Sequence, residues 1–159
     1  MPLKRNYKYF FCKILFFCNL SIALLVRIYR NLKSTVLKKK VLVVEDEQMQ
    51  AKLLANTLLK EDSEVFLCEE GNYAKTILGL NKFDIIFLDI NIPNISGLRL
   101  LEMIRSSEDQ ANFNTPVVIC TTSDDHNHKM ESFKNKANEY FLKPILPDKI
   151  RSTVSYYLP

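Results

Sequence analysis

The chain has 159 residues, 47% of them hydrophobic, with 22 Lys and Arg against 18 Asp and Glu; that length allows one domain and a short appendage. The formal charge of +4 is confined to the start: residues 1–40 hold ten bases and no acid, which leaves 12 bases against 18 acids, a balance of −6, over residues 41–159. An acidic globular part repels phosphate backbones, so direct nucleic acid binding is not expected, and Cys12, Cys18, Cys68 and Cys120 lack the paired spacing of a disulfide framework or a zinc site.

Residues 9–26 are strongly apolar, interrupted only by Lys13 and Asn19, and just long enough to cross a bilayer as a helix. Three bases precede them (Lys4, Arg5, Lys8) and six follow (Arg27, Arg30, Lys33, Lys38, Lys39, Lys40), an asymmetry that places the C-terminal side in the cytoplasm. Two readings stand side by side: a membrane tether on the inner face of the membrane, or upstream sequence from a misassigned start. A cleaved signal peptide fits poorly, because no small-x-small cleavage site follows Ala23. Residues 1–37 are therefore set apart as a hydrophobic, basic extension.

From residue 38 onward, strand and helix patterns alternate. Val41–Val44 is a β-branched run, followed by a helical stripe of Met49, Leu53, Leu54 and Leu58. Val65–Cys68 reads as a second strand, with Ala74, Ile77 and Leu78 on the helix after it. Ile85–Leu88 is an unbroken apolar run, as expected of a strand buried on both faces. Pro93 breaks the chain out of that strand, and Ser96-Gly97 opens a helix with Leu98, Leu101 and Ile104 on one side. Pro116 introduces Val117–Cys120, and Met130, Phe133 and Ala137 mark a fourth helix. Glu139–Leu142 forms a fifth strand, and Ile150, Val154 and Tyr157 a last helix. Five β-α units in about 120 residues predict an α/β domain, a parallel sheet covered on both faces. Cys68 and Cys120 fall within apolar runs and read as small core residues.

The strand ends carry the chemistry. The first ends in Glu45-Asp46-Glu47 and the third in Asp89, both at the carboxyl edge where open α/β sheets bind ligands. Carboxylates gathered in one crevice repel unless a cation joins them, and Mg²⁺ suits a set of carboxylates, a backbone carbonyl and waters. The fourth strand ends in Thr121-Thr122-Ser123, hydroxyls able to donate to an oxyanion, and the fifth in Lys143-Pro144, whose ammonium can neutralise acids or bind phosphate. Each residue has a plainer reading as a turn acid, a helix cap or a surface lysine. Acid, acid, hydroxyl and amine at four ends of one sheet describe a site for a metal and a phosphoryl group. Asp124-Asp125-His126-Asn127-His128 fits a solvated helix start better than a metal site.

Four stretches, Val41-Leu-Val-Val-Glu45-Asp46-Glu47, Leu88-Asp89-Ile-Asn91-Ile-Pro93-Asn-Ile-Ser-Gly97, Pro116-Val-Val-Ile-Cys-Thr121-Thr122 and Ala137-Asn-Glu-Tyr140-Phe-Leu-Lys143-Pro144, come in the order and near the spacing of one family. Residues 38–159 resemble the receiver domain of two-component response regulators. The resemblance implies a flavodoxin-like (βα)5 doubly wound parallel sheet of strand order 2-1-3-4-5. It implies that Asp89 accepts a phosphoryl group from a phosphohistidine on a sensor histidine kinase or histidine phosphotransfer protein. It further implies Mg²⁺ held by Asp46, Asp89 and the backbone carbonyl of Asn91 with Glu45 acting through water, phosphoryl oxygens held by Thr121 and Lys143, and a switch of Thr121 and Tyr140 that alters the face of the fourth helix, fifth strand and last helix. The chain is then a signalling switch with no enzymatic activity beyond its own phosphorylation and dephosphorylation.

With 15 residues after Pro144 and no effector pattern among them, the expectation is a stand-alone, chemotaxis-regulator-like receiver acting through an unknown downstream protein, with homodimerisation through the switch face left open. The rival is a degenerate receiver that binds partners without phosphorylation. A haloacid-dehalogenase-like phosphatase would need an acid where Asn91 stands, and an FMN carrier would place its phosphate against Glu45-Asp46-Glu47. Lys136 replaces the glycine usual before the fifth strand, so that turn either avoids a left-handed conformation or is strained.

Overall fold

Apolar runs with no alternation have no solvent-facing side, and the chain places them in the centre of a sheet. A computed structural model describes residues 38–158, residue 109 excepted. The proposed tether at residues 9–26 lies outside the described residues, and no helix among the described residues is long and apolar enough to cross a membrane. Strands β1 (Lys39–Val44), β2 (Ser63–Cys68), β3 (Ile85–Leu88), β4 (Val117–Thr121) and β5 (Glu139–Leu142) form one parallel sheet in the order β2-β1-β3-β4-β5. Helices α1 (Gln48–Leu59), α2 (Gly71–Leu80), α3 (Gly97–Ile104), α4 (His126–Lys134) and α5 (Pro147–Tyr157) connect and follow them. This is the parallel sheet the strand pattern predicts, in the flavodoxin-like order that the resemblance implies.

The two-residue period of a strand divides the core into two layers. Leu42, Val44, Ile86, Leu88, Val117 and Ile119 pack with Ala74 of α2 and Leu98, Leu101 and Ile104 of α3. Val41, Val43, Ile85, Phe87, Val118 and Cys120 pack on the other face with Leu54 and Leu58 of α1 and Ile150 and Val154 of α5. Cys68 and Cys120 are buried free thiols, and burial pushes the Cys68 thiol up to about 11.

Two helical faces differ from expectation. On α1 the buried residues are Ala51, Leu54, Ala55, Thr57 and Leu58, while Met49 and Leu53 are exposed. Met49 lies five residues before Leu54, about 140° around the helix, and Leu53 about 100°, whereas Leu58 lies only about 40° away. Ala51, Ala55 and Thr57 fill the rest of the inward face. On α4, Met130 and Phe133 are exposed, Ala137 falls beyond the helix, and Ser132 is the buried residue, its hydroxyl donating to the His128 carbonyl at 2.7 Å. The turn before β5 takes the strained option: Lys136 has φ of +60°.

Candidate functional site at the carboxyl edge of the sheet

β1 and β3 run side by side with Val44 opposite Leu88, so Glu45 and Asp89 leave the sheet together. Backbone bonds fix both: Glu45 N donates to Cys68 O at 2.9 Å and Asp89 N to Val44 O at 3.0 Å. Glu45 and Asp89 are buried and Asp46 is exposed. One carboxylate oxygen from each of the three lies within 4.8 Å of the others, and no other group of three or more acid, His or Cys side chains among the described residues could hold a metal.

The loop after β3 is shaped to keep Asp89 in place. Gly97 donates to Ile90 O at 3.0 Å, and a Cβ there would collide with the Asp89 carbonyl oxygen. Gly71 donates to Pro93 O at 3.0 Å, and its missing Cβ leaves room for the Ile95 carbonyl. Asn94, at φ of +70°, a conformation asparagine tolerates, donates to Glu70 Oε2 at 2.5 Å. Ser96 caps α3, accepting from Arg99 N at 3.4 Å.

Lys143 closes the site from the far side. Its side chain is 4% exposed, and its ammonium lies 2.5 Å from both Asp89 Oδ2 and Glu45 Oε2. The other oxygens accept backbone bonds: Asp89 Oδ1 from Asn91 N at 3.1 Å and Glu45 Oε1 from Glu47 N at 3.3 Å. Glu45 Oε2 is buried, with the Lys143 ammonium as its ion-pair partner. Burial holds the Glu45 carboxyl above its ordinary range, more strongly than the lysine pulls it down. For Lys143 the burial that would lower it is outweighed by bonds to Asp89 and Glu45, so the ammonium is held charged above its ordinary value. Two buried carboxylates, Glu45 and Asp89, share one ammonium here, and the exposed Asp46 lies beside them. The deficit of positive charge, three clustered acids beside one ammonium, fits a hard divalent cation with oxygen ligands, drawn from Glu45, Asp46, Asp89 and the backbone carbonyl of Asn91.

Thr121 ends β4 fully buried, and its Oγ1 accepts from Ser123 N at 3.1 Å. Lys143 N donates to Thr121 O at 2.9 Å, which joins the ends of β4 and β5. Tyr140 is half-buried and donates from Oη to Ser123 O at 2.8 Å. Burial, then Asp124, Asp125 and Asp89, raise its phenol. The Asp124–His128 run builds a helix start: Asp125 caps α4, accepting from Asn127 N at 2.8 Å.

Residues 41–155 match the response regulator receiver domain family. The chain belongs to that family. It is 29% identical over 111 residues to the cell cycle transcriptional regulator CtrA of Caulobacter vibrioides, a match covering 70% of this chain and 46% of CtrA. It is 32% identical over 105 residues to the response regulator ArlR of Staphylococcus saprophyticus, covering 66% and 46%. The chain thus spans about half the length of these relatives. Among solved structures, the chemotaxis response regulator CheY4 of Vibrio cholerae superposes with a TM-score of 0.69 at 25% identity, covering 77% of this chain and all of CheY4. The receiver domain of the sensor histidine kinase PA1611 of Pseudomonas aeruginosa, which carries a magnesium ion in its active site cleft, shares the fold with a TM-score of 0.69 at 19% identity, covering 76% and 98%.

Sequence reasoning did not find the polar clasp at the opposite edge. The Arg105 guanidinium donates to the carbonyls of Asn112, Phe113, Thr115 and Lys136 and to Asn138 Oδ1, at 2.7 to 3.3 Å. Asn112 donates to Leu78 O and Asn81 O and accepts from Phe83 N. Nothing in the local pattern marks these residues, because their partners are backbone carbonyls brought near by the fold.

Proposed function

We propose that this receiver accepts a phosphoryl group on Asp89 from a phosphohistidine of a sensor histidine kinase or histidine phosphotransfer protein. The supporting observation is the placement of the buried Asp89 carboxylate between the Lys143 ammonium, 2.5 Å away, and the acids Glu45 and Asp46. An Asp89 oxygen attacks phosphorus; the new O–P bond forms as the N–P bond breaks, and the electron pair returns to the imidazole. Asp46, Asp89 and the Asn91 carbonyl would hold Mg²⁺, with Glu45 acting through water, and the bound ion would neutralise charge on the phosphoryl oxygens. Lys143 neutralises further charge by turning from Asp89 toward a phosphoryl oxygen. The Thr121 hydroxyl, which accepts from Ser123 N, keeps its own hydrogen to donate to another. Attack of water on phosphorus returns Asp89 to the carboxylate and releases phosphate.

Thr121 and Tyr140 are the proposed switch, and the face of α4, β5 and α5 the proposed output surface. Met130, Phe133, Leu142 and Leu146 are exposed there, as an apolar partner surface requires. A covalent phosphoryl group biases this two-state element as any ligand with different affinity for two states does.

The test is incubation of the full chain with acetyl phosphate and Mg²⁺, followed by intact mass. The wild type is expected to gain one hydroxylamine-labile phosphoryl group, lost without Mg²⁺ and absent in Asp89→Ala. An unmodified, well-folded wild type would favour phosphorylation-independent binding instead.

A further inference from the structure

The two outermost strands of the sheet are guarded differently. β5 is four residues long and runs into Pro144, which has no N–H to offer a neighbour. β2 is six residues long, Ser63-Glu64-Val65-Phe66-Leu67-Cys68, with no proline and no lysine, and it pairs with β1 in unbroken register. Among the described residues no strand pairs with its other side. In a parallel pair the N–H and C=O of one residue point the same way, and that direction alternates along the strand. Cys68 O accepts from Glu45 N on the β1 side, so Glu64, Phe66 and Cys68 face β1. Ser63, Val65 and Leu67 therefore turn their backbone groups outward. The side chains of Val65 and Leu67 share one face of the strand, and Leu67 is 44% exposed.

The chain around this outer edge is acidic. Residues 60–70 hold five acids, Glu61, Asp62, Glu64, Glu69 and Glu70, against one base, Lys60. Lys39 and Lys40 lie on the inner side, opposite Ser63 and Glu64 in the sheet. That charge disfavours a second copy as the occupant. Antiparallel pairing about a two-fold axis between Val65 and Phe66 sets Glu61 and Asp62 of each copy against Glu70 and Glu69 of the other. In-register parallel pairing sets each acid against itself, and like charges directly opposite are destabilising.

We propose that the outer edge of β2 takes an extended segment of a partner protein as a sixth strand, apolar at alternate positions and basic at both ends. The backbone groups of Ser63, Val65 and Leu67 supply the ladder, the exposed Leu67 and half-buried Val65 the apolar strip, and the flanking acids the complement to the bases. This surface works independently of Asp89, so failure of the acceptor role leaves it standing.

The test reads hydrogen exchange residue by residue on the full chain, alone and with a synthetic peptide, Lys-Arg-Val-Thr-Val-Thr-Val-Lys-Arg, or its acidic analogue, Glu-Asp-Val-Thr-Val-Thr-Val-Glu-Asp. The outward amides of Val65 and Leu67 are expected to exchange readily in the free chain and to become protected by the basic peptide only. Leu67→Pro removes an outward N–H that the β1 ladder does not use, and is expected to abolish that binding. Glu64→Lys with Glu69→Lys leaves the backbone groups in place. It is expected to weaken the basic peptide about tenfold and to strengthen the acidic one by a similar factor, the effect of reversing two exposed charges. Three outcomes overturn the proposal: no protection of Val65 and Leu67 by the basic peptide, equal protection by both peptides, or an affinity that the double charge reversal leaves unchanged. Protection of these amides in the free chain overturns it too; if that protection rises with protein concentration, the occupant is a second copy.

Discussion

The two edges of the sheet treat charge in opposite ways. At the amino edge, the one guanidinium of Arg105 meets four carbonyls and an amide oxygen, and Asn112 uses both its donor and its acceptor. At the carboxyl edge, three carboxylates cluster around a single ammonium that pairs with two of them, Glu45 and Asp89. A polar network with all its groups paired has nothing left to bind, and it contributes to stability. A network short of positive charge gains when a cation and a phosphoryl group arrive. The difference supports reading the amino edge as scaffold and the carboxyl edge as the candidate site, without reference to any relative.

The comparison can be broken most forcefully at Lys143. Lys143→Met leaves Asp89 and Glu45 facing each other in a buried site, and loss of one partner from a buried ionic cluster costs about 4 kcal/mol. Urea unfolding in the presence of a chelator is expected to report that loss, and added Mg²⁺ to restore more stability to this variant than to wild type. Arg105→Ala is expected to cost about 3 kcal/mol through several lost hydrogen bonds and unpaired carbonyls. Its gain from Mg²⁺ should equal that of wild type; a larger gain would mean that the two edges are not independent. For wild type, Mg²⁺ at a hundred times its dissociation constant should add about 2.7 kcal/mol, a gain that Asp46→Asn strongly reduces. The smallest effect sharpens the scaffold side. Lys136 sits at φ of +60°, so Lys136→Gly should relieve about 1 to 2 kcal/mol of strain and return about half of it as chain entropy. A net gain of about 0.5 to 1 kcal/mol in thermal unfolding is expected, with phosphorylation unchanged.

The candidate site was legible in the sequence because its residues stand at the ends of strands that advertise themselves. Val41–Val44, Ile85–Leu88 and Val117–Cys120 are buried on both faces, so they read as unbroken apolar runs, and the residue after each run must lie at the carboxyl edge. The inward face of α1 was harder, because Ala51 and Ala55 give a weak signal beside Met49 and Leu53, which the helix turns outward. On α4 the buried residue is a serine, so apolar periodicity pointed to the exposed side. Arg105 and Asn112 were illegible for a different reason. Their roles lie in bonds to backbone atoms and side chains whose positions only the folded sheet determines, and a polar residue in a loop looks the same with or without such partners.

The central claim is that Asp89, and neither of its acidic neighbours, takes the phosphoryl group. Borohydride reduces an acyl phosphate to an alcohol, so it converts a phosphorylated aspartate into homoserine. The full chain, treated with acetyl phosphate and Mg²⁺, reduced and mapped by peptide mass, should carry homoserine at position 89 alone. Reduction at position 45 or 46, or no reduced residue in a protein that remains folded, would contradict the account.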